Sequence, residues 1–373
     1  MSKIKIIISC VFIICITVFA VKFFKSSPSK TTSSTLQKNT LTILYQATRL
    51  GSTVKNSCTY APYGGLLREI NASKAIRSNL AGGILYVDAG NSLIPFNRDK
   101  RASNIPGKKE IEVAGWIAKE LAEAKLDVLG IGQVDLNLSI PTLQKIQKES
   151  SLNFISSNVQ DKKGAYPFPR YLIKEFDEVK FGIISVSSDK HVQNKNVVIK
   201  DPTSTIKELV PTLKDQGVNF IILLSQMSAD VASSIVTSLP EDIRIDVVIS
   251  SDLFFSTSRI FWLKQGTSLL ANQDFFGAYL GKLQVKYNSL PISLFSSTKQ
   301  IQASKDRIKQ LETILPNTKN QVFVKKELDY LKTHSQLDIP ENAASYDGGL
   351  IGLDSSFDTP DTINLNDIKI INN

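Results

Sequence analysis

The sequence predicts an α/β domain of layered sheets and helices, carried behind one N-terminal transmembrane helix and followed by a C-terminal helical hairpin. Three observations predict this. Short, almost purely apolar runs such as 179–186 and 218–224 recur along the chain and alternate with stretches of helical periodicity. Strands covered on both faces read this way, and their alternation with helices is the mark of α/β layers. An uncharged apolar run opens the chain, and a change to polar helical texture follows residue 296.

The opening run, Ile6 to Val21, follows Lys3 and Lys5 and is closed by Lys22 and Phe23-Phe24. As a helix it covers about 24 Å at 1.5 Å per residue, just short of the roughly 30 Å hydrocarbon core. A snorkelling Lys22 and the two phenylalanines make up the difference. The favoured reading is a retained signal anchor over 1–25, meeting the membrane through 6–24. Cleavage after Ala20 and lipidation at Cys10 are the alternatives. Lysines flank both ends, so charge does not fix the orientation. Residues 26–40, rich in Ser, Thr, Lys and Gln, read as a flexible tether. The expectation is a single-pass protein of the cell membrane with its folded domain on the exported side.

Strands are predicted at 41–45, 84–87, 127–131, 153–157, 179–186, 218–224 and 245–250, then 269–271 and 279–285 across the Gly277 turn. Ala114, Ile117, Ala118 and Leu121 fall on one helical face, as do Ile206, Leu209, Val210 and Leu213. These elements define a domain over 41–296. The hairpin, 297–335, sets Ile301, Ile308, Leu311 and Leu315 on a first helix, is broken at Pro316, and sets Val324, Leu328 and Leu331 on a second. Residues 299–334 are the candidate surface for a protein partner. The tail, 336–373, is rich in Asp, Asn and Ser and is expected to be loose.

The net charge of +9 is scattered, as in Lys108-Lys109-Glu110 and Lys325-Lys326-Glu327, so no nucleic-acid partner is expected. Of three cysteines, Cys10 and Cys15 lie in the apolar run and Cys58 stands alone, which excludes a disulfide framework and a Cys-based zinc site. There are only two histidines, His191 and His334, both expected at the surface. No P-loop and no Gly-x-Ser-x-Gly elbow occurs, and Gly130-Ile131-Gly132 is too short for a dinucleotide fingerprint.

A series of short signatures runs through the domain. They are Thr48-Arg49-Leu50-Gly51, Tyr63-Gly64-Gly65-Leu66, Asp88-Ala89-Gly90-Asn91, Gly132-Gln133-Val134-Asp135, Ser156-Ser157-Asn158-Val159, Ser225-Gln226, Ser250-Ser251-Asp252-Leu253-Phe254 and Gly277 to Lys282. In order and spacing, residues 41–286 resemble the N-terminal metallophosphatase domain of bacterial 5'-nucleotidases, in the calcineurin-like superfamily. The resemblance implies an α/β/β/α sandwich with a two-metal site on loops at the carboxyl ends of its strands.

The family's ligand motifs are Asp-x-His-Gly, Asp-Ala-Gly-Asp, Gly-Asn-His-Glu, Ser-His and Gly-Gly-His-x-His. At those positions this chain has Thr48, Leu50, Asn91, Gln133, Val134, Asp135, Gln226, Asp252 and Phe254. No ligand histidine remains, and Asp88 precedes the ligand position. The resemblance therefore implies a degenerate site with no catalytic residue and no metal cofactor. The expected function is a tethered, non-catalytic binding or scaffolding module. One weakly bound Mg²⁺ or Ca²⁺ on Asn91, Gln133, Asp135, Gln226 and Asp252, serving a weak phosphoric ester hydrolase, is the alternative. A small-ligand binder that keeps the old cleft is a third reading. The family's substrate-gripping second domain does not fit in the remaining residues.

Overall fold

The structure is a computed structural model that describes residues 39–373 apart from 56–62, 81, 97–104, 177, 254–258, 264–267, 273–276, 291, 293, 296–297, 319–320, 335–343, 359–369 and 372–373. The anchor at 1–25 lies outside these residues, as does the tether up to residue 38. No helix of the described residues is long and apolar enough to cross a membrane.

In chain order the elements begin with β1 (Thr40–Gln46), α1 (Leu66–Asn79), β2 (Gly83–Asp88), α2 (Lys108–Glu123), β3 (Val128–Gly130), α3 (Ile140–Ser150), β4 (Phe154–Ile155) and β5 (Val159–Asp161). Then come β6 (Tyr171–Phe176), β7 (Val179–Ser187), β8 (Val197–Ile199), α4 (Pro202–Asp215), β9 (Phe220–Gln226), α5 (Ala229–Ser238) and β10 (Val247–Ser250). The remainder is β11 (Arg259–Leu263), β12 (Ser268–Asn272), β13 (Tyr279–Lys286), β14 (Leu294–Phe295), α6 (Thr298–Ile314), α7 (Gln321–His334), β15 (Ala344–Gly352) and β16 (Ile370–Ile371).

Two mixed sheets stack face to face. The first runs β14-β15-β13-β1-β2-β3-β4, with β16 on β15, and the second runs β11-β12-β10-β9-β7-β6. Within them β1 to β4 are parallel to one another, as are β7, β9, β10 and β12. Strand alternation assigns the layers. Leu41, Ile43 and Tyr45 of β1 meet Phe220, Ile222 and Leu224 of β9 between the sheets. Leu44 faces the other way, toward a core built with α1, α2 and α3. Ile221 and Leu223 pack under α4 and α5. The layers are therefore helix, sheet, sheet, helix, and the predicted helical faces at 114–121 and 206–213 are the buried ones. Local caps fix the helix starts. Ser139 Oγ accepts from Thr142 N at 3.2 Å, and Asp201 Oδ1 from Ser204 N at 2.7 Å, each just before a proline in the first turn.

The tail corrects the expectation. Residues 344–352 are not loose: β15 pairs antiparallel with β13 from Ser345↔Lys286 to Gly352↔Tyr279, inside the first sheet. Beyond it, Phe357 is buried against α1, its carbonyl accepts from Asn71 Nδ2 at 2.8 Å, and Asp358 pairs with Arg68 at 2.6 Å. The domain thus extends to Asp358 and does not stop at 296. Asp347-Gly348-Gly349 interrupts the apolar alternation, and the pairing is with a strand far back in sequence, so local pattern is silent there. At the other end Thr40, assigned to the tether, opens β1.

The hairpin is an excursion between β14 and β15, which pair in parallel. Its helices pack on each other through Leu311, Val324 and Leu328, flanked by Ile308, Leu315 and Leu331, as a cluster separate from the domain cores. Arg307–Glu327 at 2.8 Å and Lys332–Glu312 at 2.6 Å bridge the two helices.

Candidate functional site: a filled centre at the strand ends

β1, β2 and β3 of one sheet and β9 and β10 of the other end where the signature loops begin. The loop after β1 runs beside the loop after β2. Thr48 N donates to Gly90 O at 3.1 Å, Leu50 N to Asn91 O at 2.9 Å and Gly51 N to Ser92 O at 3.0 Å. Thr48, Leu50 and Asn91 all adopt positive φ, at 55°, 54° and 56°. The close approach needs glycine at two points. A Cβ on Gly90 would lie 2.1 Å from Gly130 O, and one on Gly132 2.3 Å from Asn91.

Among the positions predicted from sequence, Thr48, Asn91, Gln133 and Gln226 are brought together, and Ser251 joins them. All five are buried. Asn91 Oδ1 accepts from Val134 N at 3.0 Å, while its Nδ2 donates to Ser251 O at 3.2 Å and Ser251 Oγ at 3.1 Å. Gln226 Nε2 donates to Ala89 O at 2.6 Å and to Ser185 Oγ at 3.0 Å. Gln133 Nε2 donates to Gln226 O. Ser251 Oγ donates to Gly90 O at 2.7 Å and lies 2.9 Å from Thr48 Oγ1. Each of the three amides has a backbone partner that only donates or only accepts, which fixes which end is nitrogen.

Asp135 serves the same frame. Its carboxylate takes N–H groups from Ser92 at 3.1 Å, Leu93 at 2.8 Å and Gly132 at 3.0 Å. Burial pushes its pKa up to about 6, against the pull of those N–H groups. Leu50 and Val134 lie apart from the polar centre, in the apolar core beneath the helices. Asp252 is buried at the end of β10, and Phe254 falls outside the described residues. His191 is less superficial than expected: it is half-buried, with its ring edge on Phe96 at 5.5 Å.

The sequence reading missed a second polar cluster beside the first. Arg49 is wholly buried at the turn after β1 and donates Nη2 to Glu69 Oε1 at 2.8 Å, Nη1 to Glu69 Oε2, and Nη2 to Asp88 Oδ2 at 3.4 Å. Tyr86 Oη and Gln46 Nε2, the latter at 3.0 Å, also donate to Glu69. Burial works against the Glu69 carboxylate, but the charge and hydrogen bonds of Arg49 hold it below the usual range. Burial raises the Asp88 pKa, with Arg49, Ser92 Oγ and Gly90 N opposing. One signal was available: Glu69 falls on the face of α1 that Leu66, Ile70 and Ile76 bury, and a carboxylate there needs a cation.

These residues do not fit the metal pair that such folds hold. The described positions offer three amides whose oriented nitrogens face protein carbonyls, two aliphatic side chains, one hydroxyl and two carboxylates, of which Asp135 is taken up by backbone N–H groups. A transition-metal pair wants imidazoles and bridging charge. Among the described residues, no group of three or more His, Cys, Asp or Glu side chains is placed to hold a metal ion.

Neither a family model nor a curated protein sequence matches the chain. Solved structures do. A 5'-nucleotidase precursor from Thermus thermophilus superposes with TM-score 0.55 at 17% identity, over 67% of this chain and 52% of its own. The NAD nucleotidase of Haemophilus influenzae gives 0.54 at 18%, over 68% and 49%. The calcineurin-like phosphoesterase YfkN of Bacillus subtilis gives 0.51 at 19%, over 67% and 86%. The chain spans about half the length of the first two. Its fold is that of a metallophosphatase-like domain of the 5'-nucleotidase type.

Proposed function

We propose that this chain is an envelope-tethered, non-catalytic metallophosphatase-like domain that acts as a binding or scaffolding module. The observation that carries the reading is the filled centre. Asn91, Gln133 and Gln226 spend their amide nitrogens on protein carbonyls, Asp135 spends its carboxylate on three backbone N–H groups, and Arg49 pairs with both Glu69 and Asp88. Two-metal hydrolysis needs ions to activate a water and to stabilise the attacking and leaving oxygens. A centre of mostly neutral groups, whose Asp135 carboxylate is already committed, offers a pair of dications little free negative charge. Fold does not by itself carry activity. The tether rests on the apolar run at 6–24.

One observation favours a second reading, a weak metal-dependent phosphoric ester hydrolase with a rebuilt site. Gln133 Oε1 is buried with no hydrogen-bond partner among the described residues, an oxygen that one Mg²⁺ or Ca²⁺ would accept. One paired experiment separates the two: elemental analysis of the purified protein, and hydrolysis of nucleotides and a generic phosphate ester with and without added Mg²⁺, Ca²⁺, Mn²⁺ and Zn²⁺. No stoichiometric metal and no turnover is the expected result. About two bound ions per chain, or a turnover abolished by Asp135→Ala, sinks the proposal.

A further inference from the structure

The hairpin consumes its own seam. Leu311, Val324 and Leu328 bury one another, and the paired charges Arg307–Glu327 and Glu312–Lys332 lie along the helices. Among the described residues, the exposed large aliphatic side chains of the hairpin lie at the tip, at the end of α6 and the start of α7. Val322 is 72% exposed and Ile314 40% exposed. Leu315, Pro316, Gln321, Val322 and Lys325 line an open cleft of about 430 Å³ there. The tip also carries positive charge with no acidic residue within it in sequence. Residues 298–334 carry eight Lys or Arg against four Asp or Glu, a net +4. The stretch 313–326 holds Lys319, Lys325 and Lys326 and no acidic residue.

We propose that this tip docks on an anionic lipid surface, an inference that rests on the membrane tethering proposed above. Aliphatic side chains that stand out in water gain by entering the boundary between headgroups and acyl chains. Lysines beside them pair with lipid phosphates without leaving the interface. Charge complementarity selects this occupant over a second copy, because two tips of the same sign repel. The docked hairpin would be a second point of membrane contact beyond the N-terminal run and would limit how the domain reorients on its tether.

The test uses the full chain with a photoreactive benzophenone amino acid replacing Val322, an exposed position that tolerates bulk, and a control chain with the same group replacing Trp116, 46% exposed on α2. Each is irradiated in bilayer discs of phosphatidylcholine alone or with about one quarter phosphatidylglycerol, and in solution with vesicles of the same lipids. The expected result is a lipid adduct at position 322 in the anionic bilayers, several-fold above phosphatidylcholine alone and absent at position 116. Lys325→Glu combined with Lys326→Glu should lower it about ten-fold or more, since each lysine near such a surface is worth roughly a factor of five. Adduct formation that ignores lipid charge, a chain-to-chain adduct, an adduct with another polypeptide, or none at all overturns the proposal. Entry into discs reads the N-terminal anchor separately. A chain that stays in solution refutes the anchor, while the vesicle arm still reads the tip.

Discussion

Arg49→Met is the substitution that tests the centre most directly. The side chain is 1% exposed, and Glu69 and Asp88, which it pairs with, are wholly buried. Methionine matches the aliphatic stem but removes the cation. Glu69 then keeps Tyr86 and Gln46 as donors but loses its counter-charge in a site without water access. Breaking a buried ion pair from one side costs about 3–5 kcal/mol, because the remaining charge is stranded or must take up a proton. Against a domain stability of about 5–15 kcal/mol, that is at least about a fifth of the whole. Urea denaturation followed by intrinsic fluorescence reads it. The double variant Arg49→Met, Glu69→Gln should recover much of the loss, since the pair leaves together.

The pH dependence gives a second readout of the same pair. Glu69 has its pKa lowered in the folded chain, so the pair stabilises above the unfolded carboxylate pKa and is lost as pH falls through the folded value. Arg49→Met should therefore be less sensitive to acid than the parent. A single variant within about 1 kcal/mol of the parent, or a double variant no better than the single, would refute the claim that the cation organises this centre.

Three further outcomes are expected. Asp135 runs opposite to Glu69: with a folded pKa of about 6 against roughly 3.9 unfolded, its contribution is fully present below about pH 4 and lost as pH rises through about 6. That slope is worth about 3 kcal/mol, and Asp135→Asn should flatten it in denaturation curves taken across the range. Replacing 298–334 by a short Gly/Ser linker should change the unfolding free energy by less than about 1 kcal/mol, because the hairpin cluster is separate from the domain cores. Ending the chain at residue 343 should instead prevent stable folding, because it strips β15 from β13 and removes the Arg68–Asp358 pair; limited proteolysis and circular dichroism would show it.

The legible parts of the fold were those where local pattern and burial agree. β1, β2, β7 and β9 are apolar because both faces are covered, and their sequences say so. β6 and β11 were not read. β6, Tyr171–Phe176, sets Lys174 and Glu175 side by side within an apolar run and is only half-buried at the sheet edge. β11 is likewise an edge strand, paired to β12. β15 was hidden by its glycines and by the distance in sequence to β13. At the centre, the signatures located Thr48, Asn91, Gln133, Asp135 and Gln226 but said nothing of how they meet. That depends on amide orientation and on Ser251, whose hydroxyl touches Gly90 and Thr48 only once the two sheets are stacked.

The geometry also explains why a centre of this kind keeps its shape. Loops after β1, β2 and β3 must converge because the strands that feed them are parallel and adjacent, and Gly90 and Gly132 let their backbones touch. Convergence brings carbonyls and carboxylates together, and something must balance them. In a two-metal enzyme the ions supply the positive charge. Here Arg49 supplies it at Glu69 and Asp88, amide nitrogens at the carbonyls of Ala89, Gln226 and Ser251, and backbone N–H groups at Asp135. On the function proposed above, contacts of this kind take the place that ions hold in such an enzyme. Restoring one ligand alone, as in Asn91→Asp, would place a second charge beside Ser251 O before any ion was bound.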